Sequence, residues 1–265
     1  MYGANTRRGK DHSNPDSLLV HSVFPTIQGE GPYAGVPAVF VRLAGCNLAC
    51  TFCDTEFDVQ PGSDPKGIEQ WRTPTSDLVT RVRDLCGSVV AGGQRRLVVL
   101  TGGEPLRQNC SLLVEWLLQF ADVQVETSGS VDVRGRWVEP GRSMNEVTFV
   151  VSPKTAELAP GFKLALDSAV YNCCLKYVVD ASCAERLSAD NLWSWLPEMA
   201  QRGMPTKKLV YRPKRDDFPK TRVYVQPMDT PFDAQRTLNT EAALAICDRT
   251  GFRLSLQQHK LLGLP

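Results

Sequence analysis

Short, nearly continuous runs of β-branched and other apolar residues recur along the chain, and stretches with helical spacing separate them. The runs are Leu18–Phe24, Ala38–Leu43, Leu97–Leu100, Val123–Glu126, Val147–Val151, Leu175–Val179, Val223–Gln226 and Phe252–Leu256. A strand that stays apolar at consecutive positions is covered on both faces, the condition of a parallel sheet wrapped by helices. Four segments read as those helices. Thr75–Leu85 opens on the cap-type residues Thr75 and Ser76 followed by Asp77. Ser111–Phe120 places Leu112, Leu113, Trp116, Leu117 and Phe120 on one side. Ala184–Arg202 and Asp233–Thr250 complete the set. The alternation predicts an α/β fold on a mostly parallel sheet, either open or partly closed as a barrel.

The 265 residues suffice for one large core, and no internal repeat or clear second domain is visible. Residues 17–265 therefore read as a single domain. Residues 1–16 are polar and aperiodic and read as a disordered leader. A Pro-, Gly- and charge-rich stretch near 58–75 reads as an inserted loop, and 207–219 as another polar segment.

Lys and Arg number 30 against 29 Asp and Glu, which gives no electrostatic case for nucleic acid or an anionic membrane as partner. No apolar run approaches the roughly 20 residues of a membrane span. The N-terminus has no apolar secretory stretch, so a cytoplasmic location is expected. The nine cysteines are an odd number in an enzyme-sized chain, which argues against a disulfide framework. Cys86, Cys110, Cys173, Cys174, Cys183 and Cys247 are scattered through the expected strands and helices and read as small apolar core residues.

Cys46, Cys50 and Cys53 are different: they form Cys-x3-Cys-x2-Cys on one short loop after the run Ala38–Leu43. Three thiolates on one loop can converge on a single inorganic centre. Iron–sulfur cubanes usually take four thiolates, so three leave one iron open to a small molecule. S-adenosylmethionine (SAM) can chelate that iron through its amino and carboxylate groups, and an electron passed to it breaks a carbon–sulfur bond. The competing reading is a structural zinc site, but zinc prefers four closed ligands, often in pairs, and no second pair stands at suitable spacing. A second motif follows the run Leu97–Leu100: Thr101-Gly102-Gly103-Glu104-Pro105. Two glycines at a strand's C-terminal end let the backbone come close to a ligand where α/β folds bind them.

The cysteine spacing with the Gly-Gly-Glu-Pro motif resembles the radical SAM superfamily. The segments Phe24–Gly31, Gly35–Cys46, Cys53–Thr55, Glu126–Gly129, Ser152–Lys154, Gln226–Asp229 and Gln258–Pro265 resemble, in order, the 7-carboxy-7-deazaguanine synthase family. The resemblance runs from about Val20 to the last residue and implies a partial, modified radical SAM barrel. It implies ring contraction of 6-carboxy-5,6,7,8-tetrahydropterin to 7-carboxy-7-deazaguanine, with loss of ammonia. It also implies a [4Fe–4S] cluster on Cys46, Cys50 and Cys53, SAM, Mg²⁺ with Thr55 as a ligand, an electron donor such as flavodoxin or ferredoxin, and a homodimer. For the pterin the resemblance implies Ile27, Gln28, Gly29, Glu30, Arg42, Thr101, His259 and Pro265. For SAM it implies Phe52, Asp54, Gly102, Gly103, Glu104, Glu126, Ser152, Pro153, Lys154, Gln226, Pro227, Met228 and Asp229. No residue is assigned as a protein-borne catalytic acid or base.

The residue types suit such a substrate. Arg42 matches a carboxylate in bidentate fashion, and Gln28, Glu30 and His259 offer polar partners to a ring edge. A hard cation wants oxygen ligands, which Thr55 supplies. By resemblance the terminal carboxylate of Pro265 accepts hydrogen bonds from the pterin's amino–imino edge. Plainer alternatives stand beside each. Arg42 reads equally as a member of a buried ion pair, Gln28 and Glu30 as solvated turn residues, and His259 as an exposed side chain. Thr55 reads as a cap, and Leu261, Leu262 and Leu264 as packing for the tail. At the level of the whole chain two other functions compete. One is a radical SAM activase acting on a partner protein, which the Gln28–Gly31 loop and the C-terminal pattern oppose. The other is a cluster-binding regulatory module, which has no need of Gly102–Pro105.

Overall fold

The computed structural model describes residues 5–12, 14–57, 72–87, 95–133, 146–168, 172–188, 191–213 and 219–265. Its strands are β1 (Ser17–Ile27), β2 (Pro37–Leu43), β3 (Arg72–Pro74), β4 (Arg96–Gly102), β5 (Ala121–Thr127) and β6 (Val147–Val151). They continue with β7 (Cys173–Val179), β8 (Glu198–Met199), β9 (Lys208–Leu209), β10 (Val223–Pro227) and β11 (Arg253–Leu254). The helices are α1 (Thr75–Cys86), α2 (Ser111–Leu117), α3 (Pro160–Ser168), α4 (Ala181–Glu185), α5 (Asp233–Thr250) and α6 (Gln258–Leu261).

Nine of these strands form one sheet in the order β11-β10-β7-β6-β5-β4-β2-β1-β3. From β2 across to β11 every neighbouring pair is parallel. Only β1, against β2 and β3, runs antiparallel. The fold is thus α/β on a mostly parallel sheet, and among the described residues its edges β11 and β3 do not meet to close a barrel.

Side chains alternate across a strand, so each strand contributes to two faces. On one face Val41, Leu100, Val125, Val151, Tyr177 and Val225 join a single apolar cluster with Leu78 and Val82 of α1, Leu113 and Leu117 of α2, Phe162 of α3 and Ile246 of α5. On the other face the alternate residues Arg42, Thr101, Glu126, Val150, Lys176, Val178 and Gln226 line a cavity. The near-continuous apolar runs are strands covered on both faces, and their few polar members all belong to the cavity side.

Three expectations need correction. Ala184–Arg202 is not a helix: α4 stops at Glu185, turns follow, and β8 begins at Glu198. Trp193 and Trp195 are both buried, stacked on each other and packed edge-on or tilted against Tyr177 and Phe252. Residues two apart point to widely different sides of a helix, so both cannot bury there. Asn191 Oδ1 accepts from Trp193 N at 2.9 Å and Ser194 Oγ from Ser188 N at 2.8 Å, local bonds that compete with a helix. Pro197 then blocks its continuation. Residues 5–12, expected within a disordered leader, are instead hydrogen-bonded along the cysteine loop and the turn after β4: Arg8 N donates to Cys46 O and Asp11 N to Arg107 O. The cap-type Thr75 is the first residue of α1, and its hydroxyl bonds Pro15 O at 2.7 Å rather than capping the helix. Of the expected inserted loop, 58–71 lies outside the described residues, while Arg72–Pro74 pair with β1 as β3. Among the described residues no helix is long and apolar enough to cross a membrane.

Candidate active site

The cavity, about 710 Å³, opens at the C-terminal ends of the parallel strands, where the loops after β2, β4, β5, β6 and β10 gather. Its wall includes Cys46, Cys50, Cys53, Phe52, Asp54, Thr55, Gln28, Glu30, Arg42, Thr101, Gly102 and Gly103. Glu126, Ser152, Lys154, Gln226, Met228, Asp229, His259 and Pro265 complete the expected residues found there. Ile27, Gly29, Glu104, Pro153 and Pro227 do not line it.

The cysteine loop is held from two directions. Arg8 N bonds Cys46 O at 2.7 Å, while Arg202 N bonds Ala49 O at 2.6 Å. Leu48 N donates to Cys46 Sγ at 3.4 Å. Burial pushes the Cys50 thiol up to about 11 against the opposing charge of Lys154, and pushes those of Cys46 and Cys53 up as well. Lys154 donates to Ser152 Oγ at 2.5 Å and lies 5.8 Å over the Phe52 ring; burial lowers its pKa. Among the described residues no three His, Cys, Asp or Glu side chains converge tightly enough for one metal ion, so a closed zinc site is not assembled. A cubane asks for a wider spacing, since each thiolate binds a different iron.

The two glycines after β4 answer to the chain before any ligand. A Cβ on Gly102, whose φ is +124°, would come within 2.0 Å of Leu43 O, and one on Gly103 within 2.1 Å of Gly45 O. They allow the ends of β2 and β4 to touch, which draws the cysteine loop over the cavity. Glu104 is also turned to the chain. Its carboxylate accepts from Leu106 N, Thr127 Oγ1, Ser128 N and Ser128 Oγ, tying the loop after β4 to that after β5. Burial raises its pKa against those bonds.

The polar groups form one network. Gln28 donates to Glu126 Oε1 at 3.0 Å, and Thr101 Oγ1 donates to Glu126 Oε2 at 3.0 Å. Gln28 Oε1 accepts from Glu30 N at 3.0 Å. Glu30 is ion-paired with Lys176 of β7 and accepts from Gln257 at 2.8 Å. Burial pushes the Glu30 carboxyl up, but the charge and hydrogen bond of Lys176, with help from Gln257, hold it below the usual carboxylate range. Lys260 bridges Asp54 and Asp229, 2.7 Å from each. Arg42 lies over the Phe24 ring at 5.4 Å, and its buried Nε has no hydrogen-bond partner. Burial lowers the Arg42 pKa, opposed by the charges of Asp54 and Glu126. A guanidinium with unused donors facing a cavity suits an incoming carboxylate.

The end of the chain folds back onto this network. Gln258 N bonds Gly29 O at 3.2 Å, Thr26 Oγ1 donates to Pro265 O at 3.2 Å, and Leu261 and Leu262 remain exposed. The last two leucines named do not serve as tail packing.

Sequence reasoning missed Lys176, Gln257, Lys260 and Asn5, all of which line the cavity. For Lys176 a signal existed: a charge inside the apolar run Cys173–Val179 must find a partner when buried. Asn5 carried none.

No known family model matches the chain. It is 36% identical over its full length to 7-carboxy-7-deazaguanine synthase of Rhodospirillum rubrum, covering all of that protein. It is 34% identical over its full length to the protein of the same name from Rickettsia prowazekii, covering 96% of it. The counterpart from Hyperthermus butylicus is 34% identical, with 94% of each chain covered. The crystal structure of QueE from Escherichia coli matches with a TM-score of 0.58 at 24% identity, over 93% of this chain and 99% of that one. At that identity the likeness speaks for the fold.

Proposed function

The chain belongs to the 7-carboxy-7-deazaguanine synthase family, and from that premise we propose that it is a radical SAM carbon–nitrogen lyase. It contracts the ring of 6-carboxy-5,6,7,8-tetrahydropterin to 7-carboxy-7-deazaguanine with loss of ammonia, a step toward 7-deazapurines of the queuosine type. One observation carries the reading: three thiols, the Arg42 side chain and a network of amides and carboxylates line a single cavity.

Cys46, Cys50 and Cys53 would hold a [4Fe–4S] cluster, and the donor set fits: thiols on one loop, a backbone N–H on one sulfur and the Lys154 ammonium beside another. When bound, the cluster and SAM supply one-electron chemistry that removes a hydrogen atom from the substrate. The chain's own groups bind and orient. Arg42 takes the pterin carboxylate. Gln28, Glu30, Thr101, His259 and Pro265 face the ring edge, and Glu126, bonded to Gln28 and Thr101, stands with them. Phe52, Asp54, Ser152, Lys154, Gln226, Met228 and Asp229 are left for SAM. Gly102 and Gly103 present backbone to it.

Thr55, whose hydroxyl lies 3.3 Å from Asp54 Oδ1, supplies one oxygen to Mg²⁺, with the remainder from substrate and water. Exposed Phe232, Leu238, Leu244, Leu261 and Leu262 give apolar surface that favours pairing with a second copy. A flavodoxin or ferredoxin supplies the electron. All nine cysteines are free, in keeping with the reducing cytoplasm.

The test is anaerobic reconstitution with iron and sulfide, then incubation with SAM, reductant and the carboxytetrahydropterin. Product of the mass of 7-carboxy-7-deazaguanine is expected. SAM cleavage with the pterin left unchanged contradicts the substrate assignment.

A further inference from the structure

We infer that the N-terminal segment of residues 5–12 serves the cluster, and that Asn5 is a positioning residue whose side-chain amide donates a hydrogen bond to the sulfur of Cys53. The inference rests on reading Cys46, Cys50 and Cys53 as cluster ligands.

Asn5 is buried and lines the cavity, about fifty residues in sequence from the loop it touches. Its Nδ2 lies 2.5 Å from Thr55 O and 3.6 Å from Cys53 Sγ, and its Oδ1 accepts from Phe57 N at 3.0 Å. These partners fix the amide's orientation. Reversing it would set oxygen against the Thr55 carbonyl and an N–H against that of Phe57. The amide nitrogen therefore faces both Thr55 O and the sulfur, and is within hydrogen-bonding distance of each.

The sulfur needs it. As a free thiol Cys53 donates to Thr55 O at 3.4 Å. A ligating cysteine has lost that proton, so the sulfur becomes only an acceptor, and the Asn5 amide joins the Thr55 backbone as a donor beside it. Cys46 receives the equivalent bond from its own loop, through Leu48 N. Cys53 receives a further one from a distant segment, and that segment is anchored. Arg8 N bonds Cys46 O at 2.7 Å, and Arg107 donates to Gly9 O at 2.6 Å. His12 Nε2 lies 2.9 Å from Leu106 O, and Asp11 pairs with Arg72 at 2.9 Å. The segment thus spans the cysteine loop and the turn after β4, the two loops that flank the cavity.

Hydrogen bonds to ligand sulfur stabilise the more negative, reduced cluster and hold the ligand in place; losing such an outer partner typically costs about 10–100-fold in metal affinity. The experiment compares reconstituted wild type with Asn5→Ala and Asn5→Asp. It measures iron loss to a chelator and the cluster midpoint potential in an EPR-monitored titration without SAM. Asn5→Asp keeps the shape and the bond from Phe57 N and replaces only the donor. Both variants should lose iron at least about tenfold faster. Both potentials should move to more negative values, furthest for Asn5→Asp. Wild-type retention and potential in Asn5→Asp would overturn the inference. A wild-type protein that takes up no iron would instead refute the ligand assignment beneath it.

Discussion

Glu30 and Lys176 show how much a single buried pair decides. Both are buried and line the cavity, so each depends on the other for neutralisation. Glu30 titrates below its ordinary value of 4.5 and Lys176 above its ordinary 10.5. Their stabilisation is therefore complete between those ordinary values. It is lost as pH falls through the lowered value of Glu30 or rises through the raised value of Lys176. Lys176→Met leaves the carboxylate without its cation, and burial then pushes it above the usual range. Urea denaturation at neutral pH should show a loss of about 3–5 kcal/mol. Because Gln257, Gln226, Asp54 and His259 also face Glu30, the residual network keeps a pterin site, but KM should now climb as pH falls toward the raised value. A flat pH profile in the variant would mean that Glu30 does not touch substrate. Arg42 poses a simpler question. Lys in its place keeps the charge and loses the fork, so KM for the pterin should rise about 10–100-fold, equivalent to about 1.5–3 kcal/mol, with iron content unchanged. These residues divide by legibility. Arg42 and Glu30 lie in recognisable motifs, whereas Lys176 announces itself only as a misplaced charge in β7, and its partner comes from a loop 146 positions away.

At the scale of elements, the site depends on close approaches between backbone segments that glycine permits. A Cβ on Gly29 would lie 2.2 Å from His259 Nδ1 and 2.8 Å from His259 N, so α6 docks on the loop after β1 only because nothing projects there. Gly29→Ala should displace α6, cost about 1–3 kcal/mol in thermal or urea unfolding, and raise the pterin KM while sparing the cluster. Gly103→Ala meets the backbone of Gly45, which no rotamer change relieves. It should reduce both iron content and SAM binding by parting the ends of β2 and β4. Normal iron loading in Gly103→Ala would show that the contact is not needed to set the cysteine loop. The same comparison explains what the sequence conveyed about elements. The runs at β2, β4, β5, β6, β7 and β10 were legible because strands covered on both faces are apolar throughout. The segment after α4 was misread as helix because Trp193, Trp195 and Leu196 are apolar enough to suggest one. The burial of the two tryptophans comes from edge-on and tilted ring contacts with Tyr177 and Phe252, a tertiary arrangement without a local period. The ordering of residues 5–12 is hidden in the sequence for a related reason: its bonds are made mainly by backbone groups, to loops far along the chain.

For the molecule as a whole, the parallel sheet sets an apolar core on one face and a polar cavity on the other. The strand-end loops then bring three cysteines and a network of polar side chains to the same space. The sheet's polar intrusions made that cavity face readable in principle, through Arg42, Thr101, Glu126, Lys176 and Gln226 on alternate positions. The cavity itself was not readable, since it exists only once the ends of β2 and β4 meet. The proposed magnesium ion belongs at this scale too, because it would draw oxygens from the protein and the substrate together. Thr55→Ala should weaken the magnesium dependence of turnover without changing iron content, and a wild-type rate indifferent to divalent chelation would remove the ion from the account. The central claim is that Cys46, Cys50 and Cys53 hold a cluster with an open iron for SAM. It is tested most directly by iron analysis and EPR of the anaerobically reconstituted, reduced protein, with and without SAM. The account predicts about four irons per chain. It also predicts a cluster signal that changes when SAM is added, and loss of both in Cys50→Ala but not in Cys247→Ala. Full iron loading and an unaltered SAM-responsive signal in Cys50→Ala would contradict it.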